Sequence, residues 1–239
     1  MKVDLAGKVV LVAGGTGGLG CSVSLAFLAE NAKVVVTYRQ DKEFEALKRA
    51  ADAQADVLEG LQIDVTDEQA VAALVENILA KHGRLDTVVN TVGGYAGGLK
   101  LWETESTVFN RMLDLNLRSG FALARAAMPV MLRQRNGALI NVAAKAAVDH
   151  AAGASAYAAS KAAAVAMMDC LAADAKGTGV RVNSILPSII DTEINRKAML
   201  GAPFDQWPKP EEIAQVILFL ASDAANVIHG ASIPVYGNS

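Results

Sequence analysis

The sequence predicts an α/β fold built around a parallel β-sheet, and three observations carry this prediction. Short runs of apolar, often β-branched residues alternate with long amphipathic stretches along the chain of 239 residues. The first run, KVVLVAG (8–14), is apolar throughout, as expected of a strand that helices cover on both faces. It leads directly into a glycine-rich turn and a helical pattern. Such alternation is typical of βαβ units.

In chain order, the pattern predicts strands and helices in turn. The expected strands cover residues 8–14, 33–38, 57–65, 86–92, 137–144, 179–187 and 231–236. The expected helices cover residues 18–31, 41–54, 67–82, 103–134, 154–176 and 209–222. No linker or low-complexity stretch separates them, so we expect one domain over residues 1–239. A doubly wound sheet or a barrel of this length need not divide in two.

Composition and charge argue against several classes of protein. The chain is 52% hydrophobic and 20% charged, with a net charge of -3 and no long basic run. We therefore expect neither nucleic acid nor an anionic membrane as a partner. No uninterrupted apolar run reaches the roughly 18 residues of a membrane span. Glycines come too early in the chain for a signal peptide.

The cysteines and histidines point to a reduced compartment and to no metal. Cys21 and Cys170 lie far apart in helical patterns, which favours a cytoplasmic setting and a role as small buried residues. His82, His150 and His229 show no metal-ligand spacing. We expect all three histidines at solvated loop positions.

The turn AGGTGGLG (13–20) is the first motif that indicates a ligand. Its glycines permit a tight turn and let a phosphate approach bare backbone N–H groups, and the following helix contributes the positive end of its dipole. The position after the first strand favours dinucleotide binding over an ordinary glycine turn. The residues expected at the phosphates are Gly14, Thr16, Gly17, Gly18, Leu19 and Gly20.

The end of the second strand favours one form of the cofactor. Tyr38 and Arg39 stand where a carboxylate would bind a ribose 2′-hydroxyl, and the next carboxylate is Asp41. A guanidinium binds a 2′-phosphate well, so we favour NADP(H), with NAD(H) still possible. The alternative is that Arg39 is only a solvated surface arginine. Asp64, followed by Val65, is placed to meet the adenine amino group, or else to cap the next helix.

The pair Tyr157 and Lys161, in YAASK, is the candidate for chemistry. Residues four apart share one face of a helix. We expect the nearby ammonium to lower the tyrosine pKa from about 10, which suits a proton donor that works near neutral pH. A surface Tyr/Lys pair is the alternative, and the position after the fifth strand argues against it.

Together these motifs resemble the short-chain dehydrogenase/reductase family over nearly the whole chain. VVNTVGG (88–94) keeps Asn90 of the family's NNAG stretch but departs from it at the next two residues. LDLNL (113–117) supplies Asn116, which matches the family's catalytic asparagine. LPSIIDT (186–192) resembles the PGxxxT segment, with a serine in place of the glycine.

The resemblance implies a Rossmann-like doubly wound parallel sheet of about seven strands with helices on both faces. It implies that Tyr157, Lys161 and Asn116 are catalytic, with Asn116 holding a water that links Lys161 to solvent. It also implies pairing through helices 103–134 and 154–176 into a homodimer or homotetramer; the alternative is that the apolar faces of these helices only pack in the core. Beyond the turn and the strand ends named above, the implied cofactor contacts are Asn90, Gly93, Tyr157, Lys161, Pro187, Ile189 and Thr192.

Ala144 departs from the family at an informative position. The family's serine, whose hydroxyl polarises the substrate, stands 13 residues before the tyrosine, where this chain has Ala144. The dihydropteridine reductase branch also has alanine there. The segments that resemble this branch are 93–98, 143–149, 157–164 and 191–207.

We therefore expect an NADP(H)-dependent oxidoreductase that passes hydride to a small-molecule carbonyl, imine or quinonoid acceptor, with a dihydropterin among the candidates. Tyr157 would donate the proton. The alternative is a cofactor-binding sensor or scaffold that has lost catalysis with the serine.

Two loops are expected to shape the substrate pocket. Tyr95 and Trp102 are candidates to stack on a flat ring beside Ala144, or else they pack with their loop against the substrate helix. Residues 193–208 form either a mobile lid or an ordered surface excursion. Lys145 follows the alanines, and its neighbours indicate a turn that leads away from the site.

Overall fold

A computed structural model, which describes residues 3–239, contains one parallel sheet of seven strands with helices on both faces. The strands are β1 (Val9–Ala13), β2 (Lys33–Tyr38), β3 (Leu58–Gln62), β4 (Thr87–Asn90), β5 (Gly137–Val142), β6 (Val180–Pro187) and β7 (Ser232–Val235). The helices are α1 (Gly18–Ala29), α2 (Asp41–Ala51), α3 (Glu68–His82), α4 (Ser106–Leu113), α5 (Ser119–Gln134), α6 (Ser155–Asp174), α7 (Glu193–Ala198) and α8 (Pro210–Ala221). The predicted Rossmann-like class is confirmed.

The strand order β3-β2-β1-β4-β5-β6-β7 places β1 and β4 side by side at the centre. The chain winds outward from β1 in one direction and, after crossing over, from β4 in the other. In such sheets a crevice opens where the order reverses, outside the carboxyl ends of the strands, and ligands bind there. The glycine turn follows β1 and therefore lies at this crevice.

Alternate residues of each strand supply two separate hydrophobic layers. In β1, Leu11 packs with residues of α3, α5 and α6. Its neighbours Val10 and Val12 pack with residues of α1, α2 and α8 on the other face. Because both faces are buried, the strand needs an unbroken apolar run, and this is why KVVLVAG lacks the alternating pattern of a half-exposed strand.

The predicted helix 103–134 is more complex than its pattern indicated. Leu101–Glu103 forms a separate 3₁₀ turn, and α4 begins at Ser106. Between α4 and α5 the helix widens into a π-helical turn, Asp114–Arg118. Hydrophobic periodicity cannot reveal one extra residue per turn, and such turns often occur at functional sites.

Two of the histidine predictions are wrong. The side chain of His82 is 7% exposed, and its Nε2 lies 3.1 Å from the Glu59 carboxylate. His229 accepts a hydrogen bond from the Val182 backbone N–H and contacts the Ala172 carbonyl oxygen at 2.8 Å. Both rings are held by neighbouring elements of the fold, whereas His150 is exposed.

The cysteine prediction is also wrong for one of the two residues. Cys170 is exposed on α6, while Cys21 is half-buried. Burial, followed by the nearby Glu211 carboxylate, raises the pKa of the Cys21 thiol. Within residues 3–239, no group of three or more metal-ligating side chains is present, and no helix is long and apolar enough to cross a membrane.

Candidate active site

The glycine turn forms a backbone cradle at the carboxyl end of β1. Gly14 adopts a positive φ of 73° and donates its N–H to the Thr37 hydroxyl. Gly17 N–H bonds back to the Gly14 carbonyl at 3.0 Å and precedes the first residue of α1. A Cβ at Gly20 would lie 2.1 Å from that same carbonyl oxygen, so only glycine allows α1 to pack this close to the strand.

This cradle fits the phosphates of a dinucleotide. Gly17 and Gly18 are exposed, and among the described residues no side chain caps the start of α1. The helix therefore presents unblocked N–H groups and the positive end of its dipole at the crevice. Leu19 is buried below the turn. The Thr16 hydroxyl, by contrast, bonds to Glu43 at 3.3 Å, which directs it towards α2.

At the end of β2, Tyr38 and Arg39 have different surroundings. The Tyr38 ring stacks on Phe44 with centroids 4.9 Å apart and an interplanar angle of 2°. Arg39 is exposed, while its backbone carbonyl accepts a hydrogen bond from Gln62. The guanidinium is thus free to meet a ligand, whereas the Tyr38 ring is already packed.

Asp64 does not cap the helix that follows it. Its Oδ1 accepts bonds from the Thr66 N–H and hydroxyl at 2.9 and 2.8 Å, and these bonds lower the pKa of the carboxyl. Asp67 caps α3 instead, by accepting from two backbone N–H groups. The capping alternative is therefore wrong. Val65, next in the chain, is buried.

Sequence analysis missed Arg111, which shares a surface hollow with Arg39 and Asp64. The hollow has a volume of about 470 Å³ and is also lined by residues of α4 and the π turn. Arg111 is exposed on α4, about 70 residues from Arg39 in the chain, so no local motif links the two arginines. Two guanidiniums from separate elements thus line this hollow, together with the carboxylates of Asp64 and Asp114, beside the expected adenosine end of the site.

The ends of β1 and β4 are joined beneath the crevice. The Thr91 hydroxyl donates to the Ala13 carbonyl at 2.7 Å. The Asn90 amide bonds to Asn141 on the neighbouring strand at 3.0 Å, and its oxygen accepts from the Val92 N–H. Asn90 is buried, so it fixes the strand ends and shapes the floor of the site from below.

The π-helical turn carries Asn116 into the interior. Its amide oxygen accepts from the Gly94 N–H at 2.9 Å, and its amide nitrogen donates to the Gly94 carbonyl and to the Ser160 hydroxyl at 3.0 and 2.9 Å. Ser160, which sequence analysis missed, also donates to the Tyr157 carbonyl. It stands directly before Lys161, and this adjacency was the available signal.

Lys161 lies beside Asn116 in the same pocket. A Cβ at Gly93 would fall 2.9 Å from Asn116 Oδ1 and 3.1 Å from Lys161 Nζ, so both side chains border this glycine. Lys161 is 5% exposed and donates to the Val142 carbonyl at 3.0 Å. Burial lowers the pKa of its ammonium to about 8.

The expected lowering of the Tyr157 pKa is wrong. Burial, with a smaller effect of Tyr95, raises the pKa of Tyr157 to about 12. The hydroxyl is largely removed from water, which disfavours the phenolate, and Lys161 bonds to a backbone carbonyl on the strand side. At neutral pH Tyr157 is therefore protonated and able to donate.

Of the two aromatic candidates, the structure brings one to Tyr157. The Tyr95 ring meets the Tyr157 ring edge to face, with centroids 5.0 Å apart and an interplanar angle of 75°. Trp102 is 79% exposed, and Lys100 lies over its ring at 5.3 Å. Ala144 is buried in extended backbone after β5, where its methyl group offers no hydrogen-bond donor.

Thr192 closes the site over the glycine turn. Its methyl carbon lies 3.0 Å from where a Gly18 Cβ would be, and its hydroxyl caps α7. Pro187, the last residue of β6, is buried, and Ile189 is 38% exposed. The segment that resembles PGxxxT thus spans from the sheet edge to the start of α1.

Residues 193–208 are tied down at several points. Arg196 pairs with Asp191 through two hydrogen bonds of 2.5 and 2.7 Å and lies over the Phe204 ring at 5.0 Å. Trp207 is 5% exposed and packs against Phe204. These contacts describe an ordered excursion; whether it opens as a lid stays a prediction.

Lys145 turns away from the pocket. Its ammonium lies 3.8 Å from Asp149, 5.1 Å from the centre of the Tyr236 ring and 3.5 Å from the Ser239 carbonyl oxygen. These contacts agree with a turn that leads outward.

The fold and this site define an α/β enzyme with a nicotinamide-dinucleotide crevice. A family model described as short chain dehydrogenase matches residues 8–201. The chain belongs to the short-chain dehydrogenase/reductase family, and it is an NAD(P)-dependent oxidoreductase.

The relatives are named as reductases and dehydrogenases. The chain is 32% identical to a 3-oxoacyl-[acyl-carrier-protein] reductase of Thermotoga maritima, over 98% of each chain. It is 34% identical to D-threitol dehydrogenase of Mycolicibacterium smegmatis, covering 98% of this chain and 93% of the relative. These names do not favour the alternative of a sensor or scaffold.

Among solved structures, ElxO with NADP bound has a TM-score of 0.91 at 26% identity, over 97% of this chain and 98% of ElxO. A putative short-chain dehydrogenase/reductase from Burkholderia xenovorans has a TM-score of 0.88 at 31% identity, over 98% and 96% of the two chains.

Proposed function

We propose that this enzyme uses NADPH to reduce a carbonyl, imine or quinonoid carbon, and that Tyr157 donates the proton. The observation that carries the proposal is that Lys161 and Asn116 are buried side by side, with the half-buried Tyr157 one turn before Lys161 on α6. Bound NADPH would supply the hydride and leave as NADP⁺. A pKa of about 12 keeps Tyr157 protonated, and this is the form that a reductase needs.

Lys161 and Asn116 would restore the proton that Tyr157 gives up. After transfer, the buried phenolate is stabilised by the nearby ammonium. A lysine pKa of about 8 allows Lys161 to release a proton near neutral pH. Asn116, bonded to Ser160 and to the Gly94 backbone, holds this part of the pocket in place.

The preference for NADPH rests on Arg39 and Arg111. Both line the same hollow, where Asp64 and Asp114 are the acidic residues, and an arginine rather than a carboxylate follows the last residue of β2. Two guanidiniums suit a doubly charged phosphate. We further propose that the remaining predicted residues contact the cofactor, including Asp64 and the segment that ends at Thr192.

Two classes of acceptor fit the site. The relatives' names point to keto groups on small hydroxylated or acyl compounds. Ala144 and the loops that resemble dihydropteridine reductase favour a conjugated acceptor, which accepts hydride with less polarisation. We also propose that the chain is one domain, works in the cytoplasm and assembles with copies of itself.

Cofactor titration followed by a turnover screen tests this proposal. We expect tighter binding of NADPH than of NADH, and turnover on at least one quinone, dicarbonyl or quinonoid dihydropterin. Tyr157→Phe is expected to lower kcat at least about a hundredfold while NADPH binding stays within about twofold. Wild-type turnover in this variant would contradict the proton-donor role. Tight NADPH binding with no turnover on any acceptor would favour a sensor.

A further inference from the structure

The alanine at position 144 leaves the acceptor with one recognised hydrogen-bond donor, Tyr157. Loss of one donor to a developing oxyanion costs about a hundredfold to a thousandfold in rate. Ala144 is 7% exposed, and its methyl group cannot donate a hydrogen bond. Its backbone carbonyl accepts from the Ala147 N–H and cannot donate either, so Ala144 does not replace the serine hydroxyl. A replacement must come from another element that reaches Tyr157.

Tyr95 is the side chain that meets this requirement. It comes from the loop after β4, the strand that pairs with β5, and Ala144 follows β5. Its ring lies edge to face against Tyr157, with centroids 5.0 Å apart. Tyr95 is nevertheless 70% exposed, so much of the ring and its surroundings remain open to an incoming ligand.

Glycine residues near Tyr95 leave room for its hydroxyl and position its loop. A Cβ at Gly97 would lie 2.2 Å from that oxygen, so any larger residue there would displace the phenol. The next residue, Gly98, donates its N–H to the Gly153 carbonyl at 2.9 Å. Because Gly153 lies just before α6, this bond ties the Tyr95 loop to the helix that carries Tyr157.

The two phenols also interact electrostatically. Tyr95 is one of the two causes that raise the pKa of Tyr157, after burial. This effect agrees with the edge-to-face contact of the two rings. Because the Tyr95 ring touches the Tyr157 ring, an acceptor atom bonded to Tyr157 would lie beside Tyr95.

We propose that the Tyr95 hydroxyl donates the second hydrogen bond to the acceptor atom, in the role that the family's serine fills elsewhere. This inference rests on the proposed function. Tyr95 keeps its proton throughout: hydride goes to the acceptor carbon, the Tyr157 proton goes to its oxygen or nitrogen, and Tyr95 stabilises the charge that develops there. Tyr95 is then a catalytic residue that acts through its hydroxyl, and its role is not limited to packing its ring against the acceptor.

Tyr95→Phe separates these two roles because it keeps the ring and removes the hydroxyl. With the acceptor found in the screen, we expect kcat to fall about a hundredfold while the KM for NADPH is unchanged. Adding Ala144→Ser to this variant is expected to recover at least about tenfold. Tyr236→Phe, which removes a phenol hydroxyl outside the proposed site, is the matched control and is expected to leave kcat unchanged. A Tyr95→Phe variant with wild-type kcat would overturn the proposal.

A binding measurement tests the inference independently of turnover. Isobutyramide has an oxygen that accepts hydrogen bonds but is not reduced by a nicotinamide. Its affinity for the NADPH complex is expected to fall about tenfold in Tyr95→Phe and again in the Tyr95→Phe/Tyr157→Phe double variant. Equal affinity in wild type and Tyr95→Phe would overturn the role of Tyr95. If the affinity for isobutyramide falls in Tyr95→Phe but Tyr157→Phe keeps full turnover, Tyr157 is not the proton donor. Tyr95 would then still be a group that binds the acceptor.

Discussion

At the residue scale, Lys161 is buried at a cost to stability. An ammonium that is 5% exposed and bonded to one backbone carbonyl has lost most of its hydration. Desolvation of such a charge costs several kcal/mol before partners offset it. In the proposed function Lys161 serves the chemistry, and such a site then trades stability for activity.

Lys161→Met tests this trade. We expect turnover to be lost and the free energy of unfolding to rise by about 1 kcal/mol near pH 7, since the buried charge is removed. The measurement is urea denaturation monitored by circular dichroism. The exposed residue Lys176 provides the control, since Lys176→Met also removes one charge but is expected to change stability by less than about 0.5 kcal/mol.

The stability difference should also depend on pH. The pKa of Lys161 in the folded protein is about 8, below the ordinary 10.5. Between these two pH values the lysine is protonated in the unfolded chain but largely neutral in the folded protein. Wild-type stability therefore rises with pH across this window, and the advantage of Lys161→Met shrinks between about pH 7 and about pH 10. A difference that stays constant with pH would contradict a buried, partly neutral lysine.

At the element scale, the glycine turn depends on contact as well as on conformation. Gly20 has no room for a Cβ, because the Gly14 carbonyl oxygen would be 2.1 Å away and the Gly15 Cα 2.9 Å away. Gly17, in the same turn, has its nearest such neighbour at 3.4 Å, which is ordinary contact. The two positions look equivalent in sequence but differ in packing.

We expect Gly20→Ala to lower the free energy of unfolding by about 2 kcal/mol or more, because the backbone of the turn must shift. Gly17→Ala should cost less than about 1 kcal/mol, through loss of a favourable residue before the helix. Denaturant titrations of both variants compare the two costs. Similar losses in both would mean that close packing at Gly20 is not what requires glycine.

The π-helical turn is the element that most affects the site. Asp114–Arg118 interrupts the regular helix at the position where Asn116 must reach Gly94 and Ser160. A regular α-helix through these residues would rotate Asn116 relative to both partners. The motif LDLNL indicates the residue but not the turn that positions it, since the turn depends on partners about 20 and 40 residues away.

At the scale of the whole molecule, α5 and α6 both expose apolar side chains on their outer faces. Phe121 on α5 is 43% exposed and Leu132 is 39% exposed, although both are large and apolar. On α6, Ala166, Cys170 and Ala173 are exposed as well. Large apolar side chains exposed on the surface often mark an interface. We therefore keep the proposal that copies of this chain associate through these helices.

Light scattering of the purified protein tests the assembly. We expect a dimer or tetramer in the wild type, and a smaller species in Phe121→Glu, since a charge in the apolar contact is left unpaired. Val227→Glu, at a position outside these helices that is 89% exposed, is the control and should keep the wild-type mass. A monomeric wild-type protein would disprove the interface.

By itself, the sequence determined the α/β class, the seven strands and the position of the glycine turn, because these depend on local periodicity and on backbone freedom. The tertiary structure decided what depends on contacts between distant segments. Packing removes Tyr157 from water, which raises its pKa. It also brings Arg111 and Arg39 to the same hollow and places Tyr95 against Tyr157. Burial and proximity come from packing, and no short stretch of sequence encodes them alone.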